Sequence, residues 1–198
     1  YSIYIVFLCN FAVEMNKATK DFIREHADAD VRQLALQAKN TPEVDLTYAL
    51  EQIAGRQKAK SKLPTLAKID GMVYPPHISM EQCSSELTAK YKEEIVSSGN
   101  CFVDLTGGFG VDFSFIAKKF KHAAYVEHQK HLCAIASENF RLLGLDNAEV
   151  INADGIEYLH QMDHMDLVFI DPARRDDHGG RTYGIADCTP NVLEVMEE

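Results

Sequence analysis

Asp104-Leu105-Thr106-Gly107-Gly108-Phe109-Gly110 is the stretch of this 198-residue chain that says most about its fold. It follows the apolar run Cys101-Phe102-Val103, and a segment with apolar residues at helical intervals comes after it. A buried strand that leads through a glycine-rich turn into a helix is typical of α/β proteins, where a ligand can approach bare backbone at the turn. The stretch therefore predicts an α/β fold with a ligand site at the end of this strand.

The chain from Asn100 onward alternates short apolar runs with segments of helical periodicity, which predicts a parallel sheet with helices on its faces. Only four strands are visible, fewer than an open doubly wound sheet usually has, and the sequence stops as the next unit begins. We therefore expect a further C-terminal portion to supply the remaining strands. The predicted strands lie at 101–105, 122–127, 148–152 and 166–171, with helices near 111–120, 129–143 and 155–161 and a last helix from about Pro190.

The region before the sheet shows a different pattern. Residues 15–96 carry apolar side chains at helical spacing and predict a small helical domain with a linker, followed by a sheet domain over residues 97–198. Thr41-Pro42-Glu43 predicts the start of the second helix, since proline suits the first helical turn. Val73-Tyr74-Pro75-Pro76 predicts an extended linker or edge strand, because each proline restricts the residue before it.

The apolar residues 1–14 are too few to span a bilayer, and they lack the basic leading region and cleavage site of a secretion signal. They either precede a natural start at Met15 or form a natural strand or helix that packs onto the body. The five cysteines are scattered without a Cys-x-x-Cys pair, which indicates a reducing, cytoplasmic setting and no metal site. We expect no association with membranes.

The formal net charge of -10 argues against a generally basic surface for binding nucleic acid, although a local basic face remains open. One cluster of basic residues is either a solvated helix end with its linker or a patch that contacts phosphates. The sequence leaves both interpretations open. The cluster consists of Arg56, Lys58, Lys60, Lys62 and Lys68.

Acidic residues occur at the ends of the four predicted strands, namely Asp104, Glu127, Asp154 and Asp171. Ligands of open α/β sheets bind at this edge, so the four carboxylates could converge on one crevice. Glu127 lies a little over twenty residues beyond the turn, where an acidic side chain can hydrogen-bond the ribose hydroxyls of an adenosine moiety. Asp154 can accept a hydrogen bond from the adenine amine, and it can equally cap a helix.

The spacing of the turn glycines indicates the class of cofactor. Gly107, Gly108 and Gly110 do not fit the Gly-x-Gly-x-x-Gly pattern of dinucleotide sites, and the chain contains no Gly-Lys-Ser/Thr phosphate loop. A diphosphate ligand is therefore disfavoured. Asp104 would repel phosphate but suits a cationic methionyl amino group, so the pattern predicts S-adenosylmethionine. The predicted cofactor-binding residues are Asp104, Thr106, Gly107, Gly108, Gly110, Glu127 and Asp154.

Over roughly residues 80–198 the sequence resembles the class I S-adenosylmethionine-dependent methyltransferases. The resemblance rests on the glycine turn, on Glu127 and Asp154, on Ala136-Ser137-Glu138-Asn139 leading to Leu143-Gly144-Leu145, and on Asp171-Pro172-Ala173-Arg174-Arg175. With Gln82-Cys83-Ser84-Ser85-Glu86-Leu87-Thr88-Ala89, it narrows to a bacterial family that has a helical N-terminal region and a THUMP-like C-terminal domain. The resemblance implies a Rossmann-like core preceded by the helical domain, and an RNA substrate.

The Asp171-Pro172 pair bears most directly on the methyl acceptor. In amino-directed methyltransferases an Asp or Asn followed by Pro-Pro and an aromatic residue accepts hydrogen bonds from the target amine, which orients its lone pair. The resemblance thus implies catalytic roles for Asp171, Pro172 and Arg174, although Ala173 and Arg174 here replace the second proline and the aromatic residue. The arginines could stack on a base, grip a phosphate, or pair with Asp176 or Asp177.

The sequence thus predicts a methyltransferase that acts on an RNA base amine by direct displacement. Cys188, which precedes Thr189-Pro190, allows a second mechanism in which a thiolate adds to a pyrimidine ring, but a structural cysteine is the alternative. Two rival functions remain open. One is a small-molecule or protein methyltransferase, and the other is a non-catalytic interaction module with a degenerate cofactor cleft.

Overall fold

The computed structural model describes residues 15–37, 42–172, 191 and 193. Its centre is a four-stranded, all-parallel sheet with the strand order β3-β2-β1-β4, which confirms the predicted α/β fold. The chain runs outward from β1 to β3 and then returns to the other side of β1, so the crevice of the sheet lies at the carboxyl end of β1. The strands are β1 (Gly99–Asp104), β2 (Phe120–Glu127), β3 (Ala148–Asn152) and β4 (Leu167–Phe169).

Eight α-helices occur in the described part of the chain, and the first five precede the sheet. Helices α6 and α7 pack on one face of the sheet, and the segment that contains α8 packs on the other. The helices are α1 (Lys17–Glu25), α2 (Val31–Gln37), α3 (Leu46–Lys62), α4 (His77–Gln82), α5 (Glu86–Ile95), α6 (Val111–Ile116), α7 (Lys130–Leu142) and α8 (Gly155–Leu159). The sheet is therefore covered on both sides, as its apolar strands require.

Aromatic side chains fill the space between the sheet and the helices α6 and α7. Phe113 of α6 stacks on Phe140 of α7 with ring centroids 4.8 Å apart, and it meets Tyr125 of β2 edge-on at 5.6 Å. A Cβ atom on Gly107 would lie only 2.3 Å from the Tyr125 ring, and one on Gly110 would lie 2.8 Å from Phe140. The aromatic core thus leaves no room for side chains at these two positions of the turn, independently of any ligand.

The Val73-Tyr74 passage forms no strand of the sheet, so of the two predicted alternatives, a linker or an edge strand, the linker remains. The side-chain amide of Asn139 in α7 accepts from the backbone N–H of Val73 at 2.9 Å and donates to its carbonyl at 2.8 Å. Gln52 of α3 holds Tyr74 in the same way, at 2.8 and 2.9 Å. Two side-chain amides therefore take the part that a neighbouring strand would play, and they tie the helices before the sheet to α7.

The predicted helix start at Thr41-Pro42-Glu43 is wrong. Helix α3 begins at Leu46, and its N-cap is Asp45, whose side chain accepts from the backbone N–H of Tyr48 at 3.0 Å. The cap carboxylate satisfies an amide that would otherwise lack a partner, whereas proline at the first turn satisfies none. Pro42 instead lies in the turn before the helix.

The strands agree with the prediction within two residues at every end, whereas the helix predicted near 111–120 ends at Ile116 and is followed by a 3₁₀ helix over Ala117–Lys119. Strand β4 was predicted to run to Asp171, but it ends at Phe169. The carbonyl of Phe169 accepts from the Leu105 amide, after which the Asp171 amide bonds the Thr106 hydroxyl instead of a backbone carbonyl. Asp171 therefore lies beyond the sheet ladder. Residues 1–14 and most of the helix predicted from Pro190 lie outside the described residues.

Most of the lysines in the basic cluster have structural partners. Lys58 pairs with Glu81 at 2.6 Å, Lys60 pairs with Asp28, and Lys62 donates to the carbonyls of Met80 and Glu81. These contacts favour the interpretation of the cluster as a solvated helix end. None of the helices in the described ranges is long and apolar enough to span a membrane.

We predict that Asn139→Ala lowers the free energy of unfolding by about 2–3 kcal/mol, because it removes two hydrogen bonds and leaves the Val73 amide without its partner. Chemical denaturation measures this loss. Ser137→Ala, at an exposed position of the same helix, is the matched control and should change the stability by less than about 0.5 kcal/mol. Equal effects of the two substitutions would contradict the role of Asn139.

Candidate functional site

Asp104, the last residue of β1, is almost completely buried, with 2% of its surface exposed. Its Oδ1 accepts from the backbone N–H of Thr106 at 2.9 Å and from the Thr106 hydroxyl at 3.3 Å. Burial raises the pKa of Asp104 to about 7; the Thr106 amide opposes this rise, and the charge of Asp112 adds to it. At neutral pH this carboxyl group is therefore near its own pKa, and a positive group beside it would favour its ionised form.

Thr106 connects Asp104 to the residue that follows β4. Its hydroxyl accepts from the backbone N–H of Asp171 at 2.7 Å and donates to Asp104. The end of β1 and the segment after β4 are therefore held together by one side chain at the carboxyl edge of the sheet. Of the predicted site residues, Asp104, Thr106 and Asp171 are directly linked in this way.

A lysine from α5 reaches the same edge. Lys92 donates to Asp112 Oδ2 at 2.9 Å, and it lies 3.4 Å from Asp171 Oδ2 and 3.1 Å from the Ser84 hydroxyl. Burial opposes the charge of Lys92, but its hydrogen bond to Asp112 and the Asp112 charge outweigh that effect, so the pKa of Lys92 is raised. Asp112 Oδ1 is buried and has no hydrogen-bond partner among the described residues.

Glu127 ends β2 on the other side of the turn, and 6% of its surface is exposed. One carboxylate oxygen accepts from the Gly108 amide at 2.9 Å, and the other accepts from the Gln129 amide at 2.8 Å. These bonds fix the orientation of the carboxylate. His128 Nδ1 also lies 3.1 Å from Oε1, whereas Oε2 contacts only the Gly108 amide among the described residues and can still accept a hydrogen bond from a hydroxyl group of a ligand.

The backbone amides of the glycine turn are largely used within the protein. The Thr106 amide bonds Asp104, the Gly107 amide bonds the Val126 carbonyl at 3.0 Å, and the Gly108 amide bonds Glu127. The Gly110 amide donates to the Gly107 carbonyl at 2.8 Å. Phosphate sites use such amides as free donors, so this turn is poorly suited to a diphosphate.

Asp154 is the N-cap of α8, where its Oδ1 accepts from the amides of Ile156 and Glu157 at 2.8 and 3.1 Å. Capping was one of the two predicted roles of this residue, and it leaves the second carboxylate oxygen available. A Cβ atom on Gly155 would lie 2.1 Å from the carbonyl oxygen of Leu105, so α8 begins against the backbone of the turn. This close approach brings Asp154 toward the same edge as Asp104.

The remaining predicted residues have mixed outcomes. Pro172 is half-buried beside Asp171, whereas Arg174 and Cys188 lie outside the described residues. Sequence reasoning did not single out Asp112 or Lys92. Asp112 lies just after the glycine turn, at the start of α6, and could have been noticed there. Lys92 could not, because its place depends on how α5 packs on α6.

In the parts of the chain that the structure describes, no group of three or more His, Cys, Asp or Glu residues could hold a metal.

The architecture and the position of this site define a Rossmann-like methyltransferase fold. The chain is similar to the crystal structure of a Porphyromonas gingivalis W83 protein whose methyltransferase activity is itself inferred, with 30% sequence identity and a TM-score of 0.75. The match covers 91% of this chain but 45% of that protein, so the chain spans less than half of its length. No protein-family model and no curated protein matches the chain.

Two further solved structures match shorter parts of the chain. One is a Clostridium thermocellum protein described as an inferred rRNA methylase, with 20% identity and a TM-score of 0.43 over 56% of this chain and 63% of that one. The other is an inferred methyltransferase from Streptococcus mutans in complex with S-adenosylhomocysteine, with 16% identity and a TM-score of 0.42 over 57% of this chain and 64% of that one.

We predict that Asp104→Asn makes the ligand-free protein more stable near pH 8. In the unfolded chain this carboxyl group ionises near its ordinary value of 3.8, but its folded pKa is about 7, so the stability of the wild type falls as the pH rises through this interval. The asparagine oxygen can still accept from Thr106. We expect a gain of about 2 kcal/mol or more in chemical denaturation near pH 8, and much less near pH 4.

The matched control is Asp146→Asn, at an exposed turn residue, for which we expect no comparable gain. If Asp104→Asn leaves the stability unchanged or lowers it near pH 8, then the buried carboxyl group is not strained by its charge in the folded protein.

Proposed function

We propose that this protein is an S-adenosylmethionine-dependent methyltransferase. The observation that carries the proposal is the arrangement at the carboxyl edge of β1, where Asp112 and Asp171 contact Lys92 and the buried Asp104 is bonded to the same Thr106 as Asp171. The carboxylates outnumber the lysine, and the edge therefore favours a cationic ligand. The similarity in fold to an inferred methyltransferase supports the same assignment.

The residues of the site fit this cofactor group by group. Asp104 and the unpartnered Asp112 Oδ1 offer acceptors for an ammonium group, and Glu127 offers acceptors for ribose hydroxyls. The free oxygen of Asp154 suits an adenine amine. When bound, S-adenosylmethionine supplies an electrophilic methyl group on a sulfonium. Because the turn amides are already used, the site discriminates against diphosphate cofactors of otherwise similar shape.

Asp171 is the residue that we propose for orienting the methyl acceptor. Its side chain is exposed, and its backbone is fixed through Thr106 to the buried Asp104. A carboxylate in this position can accept a hydrogen bond from an amine N–H and thereby direct the nitrogen lone pair, which is catalysis by positioning. Pro172 would stiffen the segment, and Arg174 would contact the base or a phosphate.

We further propose that the acceptor is a base amine of RNA. The support for this step is the sequence resemblance to a bacterial methyltransferase family with a THUMP-like domain, together with the Asp171-Pro172 pair. The acidic net charge of -10 means that RNA would be bound by a local basic face. The same sheet edge could serve a small-molecule or protein acceptor, and the experiments below separate these acceptor classes.

We predict that the intact protein binds S-adenosylhomocysteine in calorimetric titration near pH 8, and that Glu127→Gln weakens the binding at least about tenfold. The substitution turns an acceptor-only carboxylate into an amide with one donor group, which disturbs the Gly108 bond and the contact with ribose. Glu149→Gln, on the exposed side of β3, is the control and should bind normally. Absence of binding by the wild type would contradict the proposal and favour a non-catalytic module.

We predict that the intact protein transfers a labelled methyl group from S-adenosylmethionine to RNA, and that Asp171→Ala lowers the turnover about a hundredfold or more while it changes the affinity for S-adenosylhomocysteine little. The substitution removes the group that orients the acceptor amine and leaves Asp104 and Glu127 intact. Fractionated RNA, protein and small-molecule extracts serve as parallel acceptors. Label in the protein or small-molecule fraction alone would overturn the RNA assignment and leave methyl transfer standing.

A further inference from the structure

Helix α5 lies outside the sheet, yet it contributes a side chain to the site. Ser85 caps this helix by accepting from the Thr88 amide at 3.2 Å, and the helix packs along α6, the helix that follows the glycine turn. Its Lys92 is directed over the Phe169 ring, with the ammonium nitrogen 5.0 Å from the ring centroid. The ammonium group thus lies at the end of β4, where Asp171 emerges from the sheet.

The acidic partners of Lys92 come from two different parts of the fold, since Asp112 belongs to α6 and Asp171 follows β4. The charges of both also act on Asp104, which ends β1. Along α5 and its C-cap, the neighbours one helical turn from Lys92 are Thr88, Ala89, Ile95 and Val96, none of which is charged. Among the described residues, Lys92 is thus the cation that balances this group of carboxylates.

The hydrogen bonds at the edge form a continuous chain from Asp104 to Asp112. Asp171 is bonded to Thr106 by its backbone and to Lys92 by its carboxylate, Thr106 is bonded to Asp104, and Lys92 is bonded to Asp112. Ser84 donates to the same Asp112 oxygen at 2.8 Å and so braces the lysine from the other side. Both ends of the Asp171 residue are therefore fixed, one through its amide and the other through its side chain.

We propose that Lys92 is a positioning residue of the active site, which holds the carboxylates of Asp171 and Asp112 in place. The role rests on the proposed methyltransferase function. Because Lys92 takes one oxygen of Asp171, the other oxygen is left to accept from the acceptor amine. Because it takes one oxygen of Asp112, the second, unpartnered oxygen is left for the cofactor ammonium group. The helical segment before the sheet thereby completes the site.

The test is the pH profile of S-adenosylhomocysteine affinity in the intact protein, compared between the wild type and Lys92→Met. The charges of Asp112 and Asp171 raise the pKa of Asp104, and without the ammonium group they act on it with less compensation, so the ionised Asp104 that binds a cation requires a higher pH. We expect the midpoint of the affinity profile to rise by about one pH unit. Lys92→Arg should restore the wild-type profile to within about threefold in affinity, because it keeps the charge.

Lys121→Met is the charge-matched control, since Lys121 is exposed at the opposite end of β2, and its profile should match that of the wild type. If Lys92→Met also matches the wild type, the inference is overturned. The unfolding of the ligand-free variants is the second measurement. Lys92→Met should lose more stability relative to the wild type near pH 8 than near pH 5, and the loss should shrink in an Asp171→Asn background.

The second measurement separates the two proposals. If the wild type binds no S-adenosylhomocysteine, the methyltransferase proposal fails, while the unfolding profiles still decide whether Lys92 holds the carboxylates.

If Lys92→Met does not fold, it is replaced by the double variant Lys92→Met/Asp112→Asn, which removes one positive and one negative charge. We then expect at least about fivefold weaker binding than in Asp112→Asn alone, and equal binding would overturn the inference.

Discussion

The burial of the Asp104 carboxylate is the constraint on which the arrangement of the site depends. A carboxylate removed from water is costly unless hydrogen bonds compensate, and here Thr106 supplies both its amide and its hydroxyl. The compensation is incomplete, since the pKa of Asp104 rises to about 7. At the point where β1 meets the glycine turn, the fold therefore holds a carboxyl group whose ionised form is destabilised by its surroundings. A destabilised charge of this kind is typical of functional sites, where a ligand can supply the missing positive charge.

The same bonds explain why the turn offers few free donors to an anion. Glycine turns of dinucleotide and nucleotide sites present free amides to phosphates, but here Asp104, Glu127 and two backbone carbonyls have already taken the amides. The acidic side chains at this edge are those of Asp104 and Glu127, at the ends of β1 and β2. Gly107 and Gly110 are required because the rings of Tyr125 and Phe140 lie directly beneath the turn, so the aromatic core and the ligand edge share one short stretch of backbone.

Local patterns in the sequence predicted those parts of the structure that depend on neighbours along the chain. The strands, the turn, and the acidic residues at Asp104 and Glu127 belong to this group, because strand ends of a parallel sheet must meet at one edge. The start of α3 was missed because an aspartate three residues beyond Pro42 makes the better cap. Lys92 was missed for a different reason: its contacts join positions up to 79 residues apart, and no periodicity within α5 reports them.

The position of Lys92 gives the helices before the sheet a second role beside a structural one. Asn139 and Gln52 already attach this region to α7 through the Val73-Tyr74 passage, which would suffice for a purely structural appendage. The contact of α5 with α6 does more, because it delivers a charge to the carboxylates that the sheet alone leaves unbalanced. Without α5, Asp112 and Asp171 would act on Asp104 with no lysine to offset their charges, and proton uptake by Asp104 would relieve part of that repulsion. The charges at this edge therefore come from both the helical segment and the sheet, and the charge of the site depends on both.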